Sequence, residues 1–143
     1  MRRMVFSLTL TLLAFLLPFA AVAAMLEVEV SGLASDQGRV HVALYDTPDA
    51  FPKSDGMLIK TKVPIQGGVA RVVFDDLKPG RYAVAVFHDE NGNNSFDQGI
   101  FGIPLESYGF SSGARAFFAA PSFEAAAFDV AEPETRIVIR PND

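Results

Sequence analysis

Apolar and polar residues alternate with a period of two along most of the chain after its first 23 residues. In each run one set of side chains is apolar and the intervening set is mostly polar, small or charged, which is the pattern of a half-buried β-strand. The seven runs are Leu26–Val30, Val40–Leu44, Ile59–Ile65, Ala70–Phe74, Tyr82–Val86, Ala126–Val130 and Ile137–Ile139. Turn-forming residues separate them, so the pattern predicts an all-β fold: a seven-stranded antiparallel two-sheet sandwich that occupies residues 24–143 as a single domain.

Several residues between the runs predict how the chain turns. The segment Gln66-Gly67-Gly68 favours a tight hairpin, because glycine adopts the positive φ angles that such turns require. Pro64 has no N–H to donate, which favours an edge position for the third strand. Pro121–Glu124 predicts a single helical turn before the sixth strand, with the Ser122 hydroxyl as its N-terminal cap.

Residues 89–121 lack sustained alternation and are too numerous for an ordinary hairpin loop. The segment is rich in large apolar residues, which a disordered loop would not be, so we expect it to be structured and to cover one end or edge of the sandwich. Three of its aromatic residues, Phe101, Tyr108 and Phe110, are open to two interpretations. They form a small core beneath the segment, as large apolar residues usually do, or they stack on a sugar or peptide.

Oxygen-bearing side chains occupy every second position at the start of this long segment. They are Asp89, Asn91, Asn93, Ser95 and Asp97. This spacing matches the first nine positions of an EF-hand loop, in which a coiled backbone directs alternate side chains at one ion. Ca²⁺ takes six to eight hard oxygen ligands, so the pattern makes these five residues candidate metal ligands and Ca²⁺ the candidate cofactor.

The loop departs from the EF-hand pattern at two positions. Asn94 stands where the pattern has glycine, and asparagine tolerates positive φ better than most residues. Ile100 stands at the twelfth position and cannot supply the bidentate carboxylate, although Glu106 could replace it from a distance. We therefore expect weak, millimolar binding at best. The alternative is a metal-free turn in which Asn and Asp side chains bind local backbone groups.

The two histidines do not form an obvious shared metal site. By alternation His88 continues the apolar face of its strand, whereas His41 lies opposite the apolar face of its own strand, so their rings are expected to point to different sides of the sheet.

A metal-assisted hydrolase that uses His88, Asp89 and Glu106 is one alternative function. A purely structural module is the other, and a non-enzymatic binding module is the first hypothesis.

The first 23 residues have the organisation of a cleaved signal peptide. Arg2 and Arg3 precede a long apolar stretch, and Ala21-Val22-Ala23 supplies the small residues at the cleavage site. Cleavage leaves 10 basic against 17 acidic residues, a net charge of −7, which argues against nucleic-acid binding. The chain has no cysteine, which excludes a lipid anchor and disulfides. We expect a periplasmic or secreted protein without a membrane span, whose partner is an envelope protein or a small ligand.

Two family resemblances follow from longer sequence stretches. Residues 72–84 (VVFDDLKPGRYAV) resemble a signature of prealbumin-like modules, which implies an immunoglobulin-like or prealbumin-like sandwich. Segments such as GRVHVALY (38–45), FHDENGNNSFD (87–97), FGIP (101–104) and PSFEAAAF (121–128) resemble the bacterial exported family called domain of unknown function 2141. That resemblance implies an envelope protein of Gram-negative-type bacteria and carries no catalytic residues. In that family the loop usually has glycine where Asn94 stands.

Overall fold

The computed structural model describes residues 22–142, and these form eight β-strands. The strands are β1 (Ala24–Ser31), β2 (Arg39–Tyr45), β3 (Ile59–Val63), β4 (Val69–Leu77), β5 (Gly80–Asp89), β6 (Tyr108–Phe110), β7 (Phe128–Val130) and β8 (Glu134–Ile139). Residues 1–21 of the predicted signal peptide lie outside the described range. Within that range, no helix has the length and apolar character needed to cross a membrane.

The strands form two sheets, as the alternation predicts. The first sheet has the order β4-β1-β8, and the second has β3-β2-β5-β6 with β7 also paired to β5. The predicted edge position of the third strand is confirmed, since β3 ends at Val63, just before Pro64, and lies at the margin of its sheet. The tight turn at Gly67 and Gly68 is also confirmed, with φ angles of +62° and +74°, but its pairing is limited to the bridge between Gln66 and Val69, because β3 and β4 lie in different sheets.

The prediction of seven antiparallel strands is wrong in two respects. There are eight strands, because residues 108–110 of the long segment add β6 to β5. In addition, β8 runs parallel to β1. The chain leaves β7 in the second sheet, crosses to the first and arrives where β1 begins, with the Met25 N–H donating to the Pro133 carbonyl at 3.1 Å. It therefore starts β8 from the same end as β1.

The core lies between the two sheets and is built mainly from the apolar residues of the alternating runs, although Ile59 of the third run is exposed. Its fully buried members include Leu26, Val28, Val30, Val40, Val42, Leu44, Val84 and Ile139. A second cluster covers the opposite, outer face of the five-stranded sheet, where Tyr45, Phe51 and Phe123 pack together. Phe123 begins the short helix α1 (Phe123–Ala126), and the predicted cap is confirmed, since Ser122 Oγ accepts from the Ala125 N–H at 3.2 Å.

Gly38 sets how closely the start of β2 approaches the end of β5. Its φ is +69°, and a Cβ atom at this position would clash with the Asp89 carbonyl oxygen and lie 2.8 Å from the Glu90 Cα. Arg39 follows and pairs with Asp89 across the two strands. Because glycine has no side chain, the backbone at position 38 can lie close to Asp89 and Glu90, where the long segment begins.

We predict that Gly38→Ala destabilises the fold by about 3 kcal/mol, since a left-handed alanine costs about 1–2 kcal/mol and the backbone clash adds to it. Gly67→Ala is the matched control, because Gly67 has a similar φ of +62° and no atom within 4 Å of the added Cβ. The control should lose only about 1 kcal/mol. Urea unfolding measures both, and equal losses would show that the close approach at Gly38 carries no cost.

Candidate functional site

Asp89, the last residue of β5, anchors the loop that follows it. Its side chain is buried, with the residue 1% exposed, and both carboxylate oxygens are occupied. Oδ1 accepts from the backbone N–H of Gly92 at 2.8 Å and of Asn93 at 3.1 Å, and Oδ2 accepts from the N–H of Asn94 at 2.9 Å. The predicted positive φ of Asn94 is confirmed at +63°, and it lets three amides turn toward one carboxylate.

His41 provides the fourth contact to this carboxylate, from the neighbouring strand β2. Its Nε2 lies 3.1 Å from Asp89 Oδ2, and its ring stacks on Phe87 with 4.5 Å between the ring centroids. Burial alone would raise the pKa of Asp89, but the Asn94 N–H, His41 and the Gly92 N–H together hold this pKa below its usual value. Asp89 is therefore an ionised, fully bonded anchor of the loop.

Three further predicted ligands, Asn91, Asn93 and Asp97, have side chains that contact one another. Asn91 Nδ2 donates to Asp97 Oδ2 at 2.6 Å, and Asn93 Nδ2 donates to both carboxylate oxygens of Asp97 at 2.9 Å. Their oxygens bind the backbone, since Asn91 Oδ1 accepts from the Asn93 N–H and Asn93 Oδ1 from the Ser95 N–H. Rotating an amide plane by 180° would turn its oxygen toward the same point. Ser95 takes part in these contacts only through its backbone N–H.

Glu106 joins this group from nine residues beyond Asp97. Its Oε2 accepts from the Asp97 N–H at 3.0 Å, while its Oε1 is buried without a hydrogen-bond partner. Burial raises the pKa of Glu106 and the charges of Asp97 and Asp89 raise it further, against the lowering effect of the Asp97 N–H. The structure thus brings an acid to the loop from outside the twelve-residue pattern. It leaves one acidic oxygen unsatisfied among three carboxylates.

His88 lies apart from these side chains. It is 1% exposed, and its Nε2 lies 2.6 Å from the Gln37 carbonyl oxygen. His88 pairs with Val40 and Phe87 pairs with His41, so the two imidazoles occupy opposite faces of the sheet, as predicted. Residues 22–142 contain no group of three or more His, Cys, Asp or Glu side chains placed to hold a metal ion. The candidate ligand oxygens at the loop instead belong to carboxylates and asparagine amides.

The long segment partly covers the outer face of the five-stranded sheet and partly projects from it. Tyr108 and Phe110 are half-buried and pack edge to face with 5.9 Å between their ring centroids, which agrees with the expected small core. Phe101 is 97% exposed, so of the two interpretations the small core is wrong for this residue. It belongs to a tight turn, with its own φ at +63°, that holds the ring away from the sheet.

A family profile matches residues 28–138, which include all eight strands in whole or in part and the whole of residues 89–97, called the oxygen-rich loop below. Its description is an uncharacterized protein conserved in bacteria (DUF2141). The chain belongs to this family. The resemblance found in the sequence is thereby confirmed, and the sandwich described above is the fold of a DUF2141 protein. No curated protein and no solved structure matches the chain.

We predict that Asp89→Asn destabilises the protein by about 1–3 kcal/mol at pH 7, because an amide cannot accept from four donors and leaves buried N–H groups unpaired. The difference from wild type should shrink below about pH 4. A depressed pKa contributes stability above the unfolded-state value near 3.9 and loses it as pH falls through the folded-state value.

Urea unfolding at pH 7 and pH 3 measures this difference. The control is Asp75→Asn, a change at an exposed position in β4. It should follow wild type at both pH values. A loss in Asp89→Asn that stays the same at pH 3 would contradict the role of the ionised carboxylate.

Proposed function

We propose that this protein is an exported, non-enzymatic binding module of the bacterial envelope, whose oxygen-rich loop takes up one Ca²⁺ ion with weak affinity. The observation that carries the calcium proposal is the buried, unpartnered Oε1 of Glu106, whose other carboxylate oxygen accepts from the Asp97 N–H. A lone carboxylate oxygen that is buried without a donor is costly, and a hard cation is a natural partner for it.

The ligands in this proposal are Asp97 and Glu106, with Asn91 and Asn93 after rotation of their amide planes. Each rotation gives up the bond that the amide oxygen accepts from a backbone N–H, which is a further reason for weak affinity. Four side chains with water fill the six to eight positions that Ca²⁺ requires. Asp89 already accepts four hydrogen bonds, so its first role is to hold the loop amides, and ligation would require it to give up one of these bonds. Two carboxylates and neutral amides favour an affinity in the millimolar range.

A binding module is better supported than the hydrolase that would use His88, Asp89 and Glu106. His88 is buried in the sheet and bound to the Gln37 carbonyl, so a substrate would not reach its ring. The carboxylate of Asp89 already accepts from three loop amides and from His41, which leaves it no lone pair for proton abstraction. Binding through the loop or the outer sheet face needs neither residue to be free.

We expect Ca²⁺ to raise the thermal midpoint of the purified protein. With a Kd near 1 mM, 10 mM CaCl₂ stabilises the folded state by about 1.4 kcal/mol, or roughly 3–6 °C for a domain of this size. Scanning calorimetry in CaCl₂ and in a chelator measures the shift, and MgCl₂ is the comparison ion. An unchanged midpoint together with no heat in titration calorimetry would leave the purely structural interpretation.

Glu106→Gln should separate the two effects of this carboxylate. Without calcium the variant should melt about 2–5 °C higher than wild type at pH 7, equal to roughly 1 kcal/mol, because it removes a buried charge from beside Asp97 and Asp89. Because the folded-state pKa of Glu106 is raised, the ionised carboxylate lowers stability only once the pH has risen through that pKa. The gain in melting temperature of the variant should therefore vanish near pH 4.

In CaCl₂ the same variant should lose most of the calcium-dependent shift. Glu132→Gln is the matched control, because Glu132 is exposed and lies in the turn before β8. It should melt as wild type does in both conditions. A calcium shift of equal size in Glu106→Gln and wild type would place the ion elsewhere.

Export is supported by the basic, apolar and small-residue order of residues 1–23. We expect the protein recovered from its bacterial host to begin at Ala24 or Met25 and to fractionate with the periplasm or the medium. Amino-terminal sequencing checks the cleavage site. Recovery of chains that retain Arg2 and Arg3 in the membrane fraction would contradict cleavage.

A further inference from the structure

The outer face of the five-stranded sheet is polar at one edge and aromatic at the other. Strand register places Lys60, Ala43, Ala85 and Phe110 in one row across β3, β2, β5 and β6. The adjacent row contains Lys62, His41, Phe87 and Tyr108. The two alanines are the only small side chains in these rows, so the sheet surface is lowest along its middle.

A groove of about 990 Å³ lies over this face, within the size range of small-molecule sites. Tyr108 and Phe110 form one wall, and Phe96 extends it, with 5.7 Å between the ring centroids of Phe96 and Tyr108. Phe117 and Phe118 also line the groove, yet they are 85% and 107% exposed. The groove is therefore open, with apolar side chains at its rim that have nothing to cover them.

The two lysines at the opposite wall carry charge that no carboxylate neutralises. Within residues 22–142, no acidic oxygen lies within 4 Å of Lys60 Nζ or Lys62 Nζ, and Lys62 donates instead to Asn94 Oδ1 at 2.9 Å. By contrast, three arginines elsewhere on the surface form ion pairs: Arg71 with Glu29, Arg136 with Glu27 and Arg81 with Glu124. Two unpaired cations therefore lie side by side on the strand that forms this wall of the apolar groove.

We propose that this groove binds a free fatty acid, with its carboxylate at Lys60 and Lys62 and its chain over Ala43 and Ala85 against Tyr108 and Phe110. The charge at one wall and the apolar lining of the other match a ligand whose polarity is confined to one end. A peptide fits less well, because its backbone needs hydrogen-bond partners along its whole length and the aromatic wall offers few. The inference names the ligand of the binding module proposed above and does not depend on calcium.

The test measures fluorescence of cis-parinaric acid added to the purified protein in a chelator, which removes any contribution of the loop cation. We expect saturable binding with a Kd on the order of 10 µM. Dodecanoate and the neutral 1-dodecanol should both compete. Lys60→Met should weaken dodecanoate about threefold to fivefold, as loss of a solvent-exposed charge contact does, and leave dodecanol unchanged. Lys78→Met, in the turn between β4 and β5, should bind both as wild type does.

Ala85→Leu should weaken both competitors at least fivefold, because it fills the floor of the groove without changing charge. Its thermal midpoint is recorded alongside, and Lys60→Met remains decisive if Ala85→Leu does not fold. No saturable signal up to 100 µM probe would overturn the proposal while leaving the calcium result intact. Three other results would also overturn it. They are an unchanged affinity of Lys60→Met for dodecanoate, binding of the protein to anionic phosphatidylglycerol vesicles instead of the free probe, and a dimer in ultracentrifugation that closes the groove.

Discussion

The hydrogen bonds accepted by the buried carboxylate of Asp89 are the interaction on which the rest of the site depends. This carboxylate lies where β5 ends, and it binds three successive loop amides and the imidazole of His41. An ion buried this completely is tolerable only because four donors replace its water shell. The same bonds bend the chain back over itself, which places Asn91, Asn93 and Asp97 side by side. Gly38 makes the arrangement accessible, since any side chain there would clash with the Asp89 backbone.

Two carboxylates in this region experience opposite electrostatic conditions although they are near each other. Asp89 is surrounded by donors, which stabilise its ionised form and lower its pKa. Burial raises the pKa of Glu106, and the charges of Asp97 and Asp89 raise it further, while a single backbone donor opposes them and one carboxylate oxygen has no partner. The first carboxylate stabilises the loop by itself, whereas the second lowers stability when ionised unless a positive charge joins it. This contrast separates a structural acid from a candidate ligand within one oxygen-rich segment.

Local sequence patterns correctly predicted the features that depend on residues adjacent in the sequence. The alternating runs located seven strands, although the sixth run started at Ala126, which is the last residue of α1. Ser122 caps its helical turn and Asn94 adopts positive φ, because each follows from the chemistry of a few adjacent positions. Features set by distant parts of the chain were missed. Strand β6 has only three residues, too few to show a period, and the parallel pairing of β8 with β1 depends on where the chain crosses between sheets. Phe101 looks like core by composition, but its backbone turn directs it outward.

The loop and the groove meet at Asn94. Its N–H donates to the Asp89 carboxylate, and its side-chain oxygen accepts from Lys62 at the groove wall. A cation held by Asp97 and Glu106 would add positive charge to this end of the groove and fix the residue that positions Lys62. An anionic ligand at the lysines would then bind more tightly to the loaded protein, and by thermodynamic reciprocity the ligand would strengthen cation binding equally. The hydrogen bond from Lys62 to Asn94 therefore provides a direct physical link between the two proposed sites.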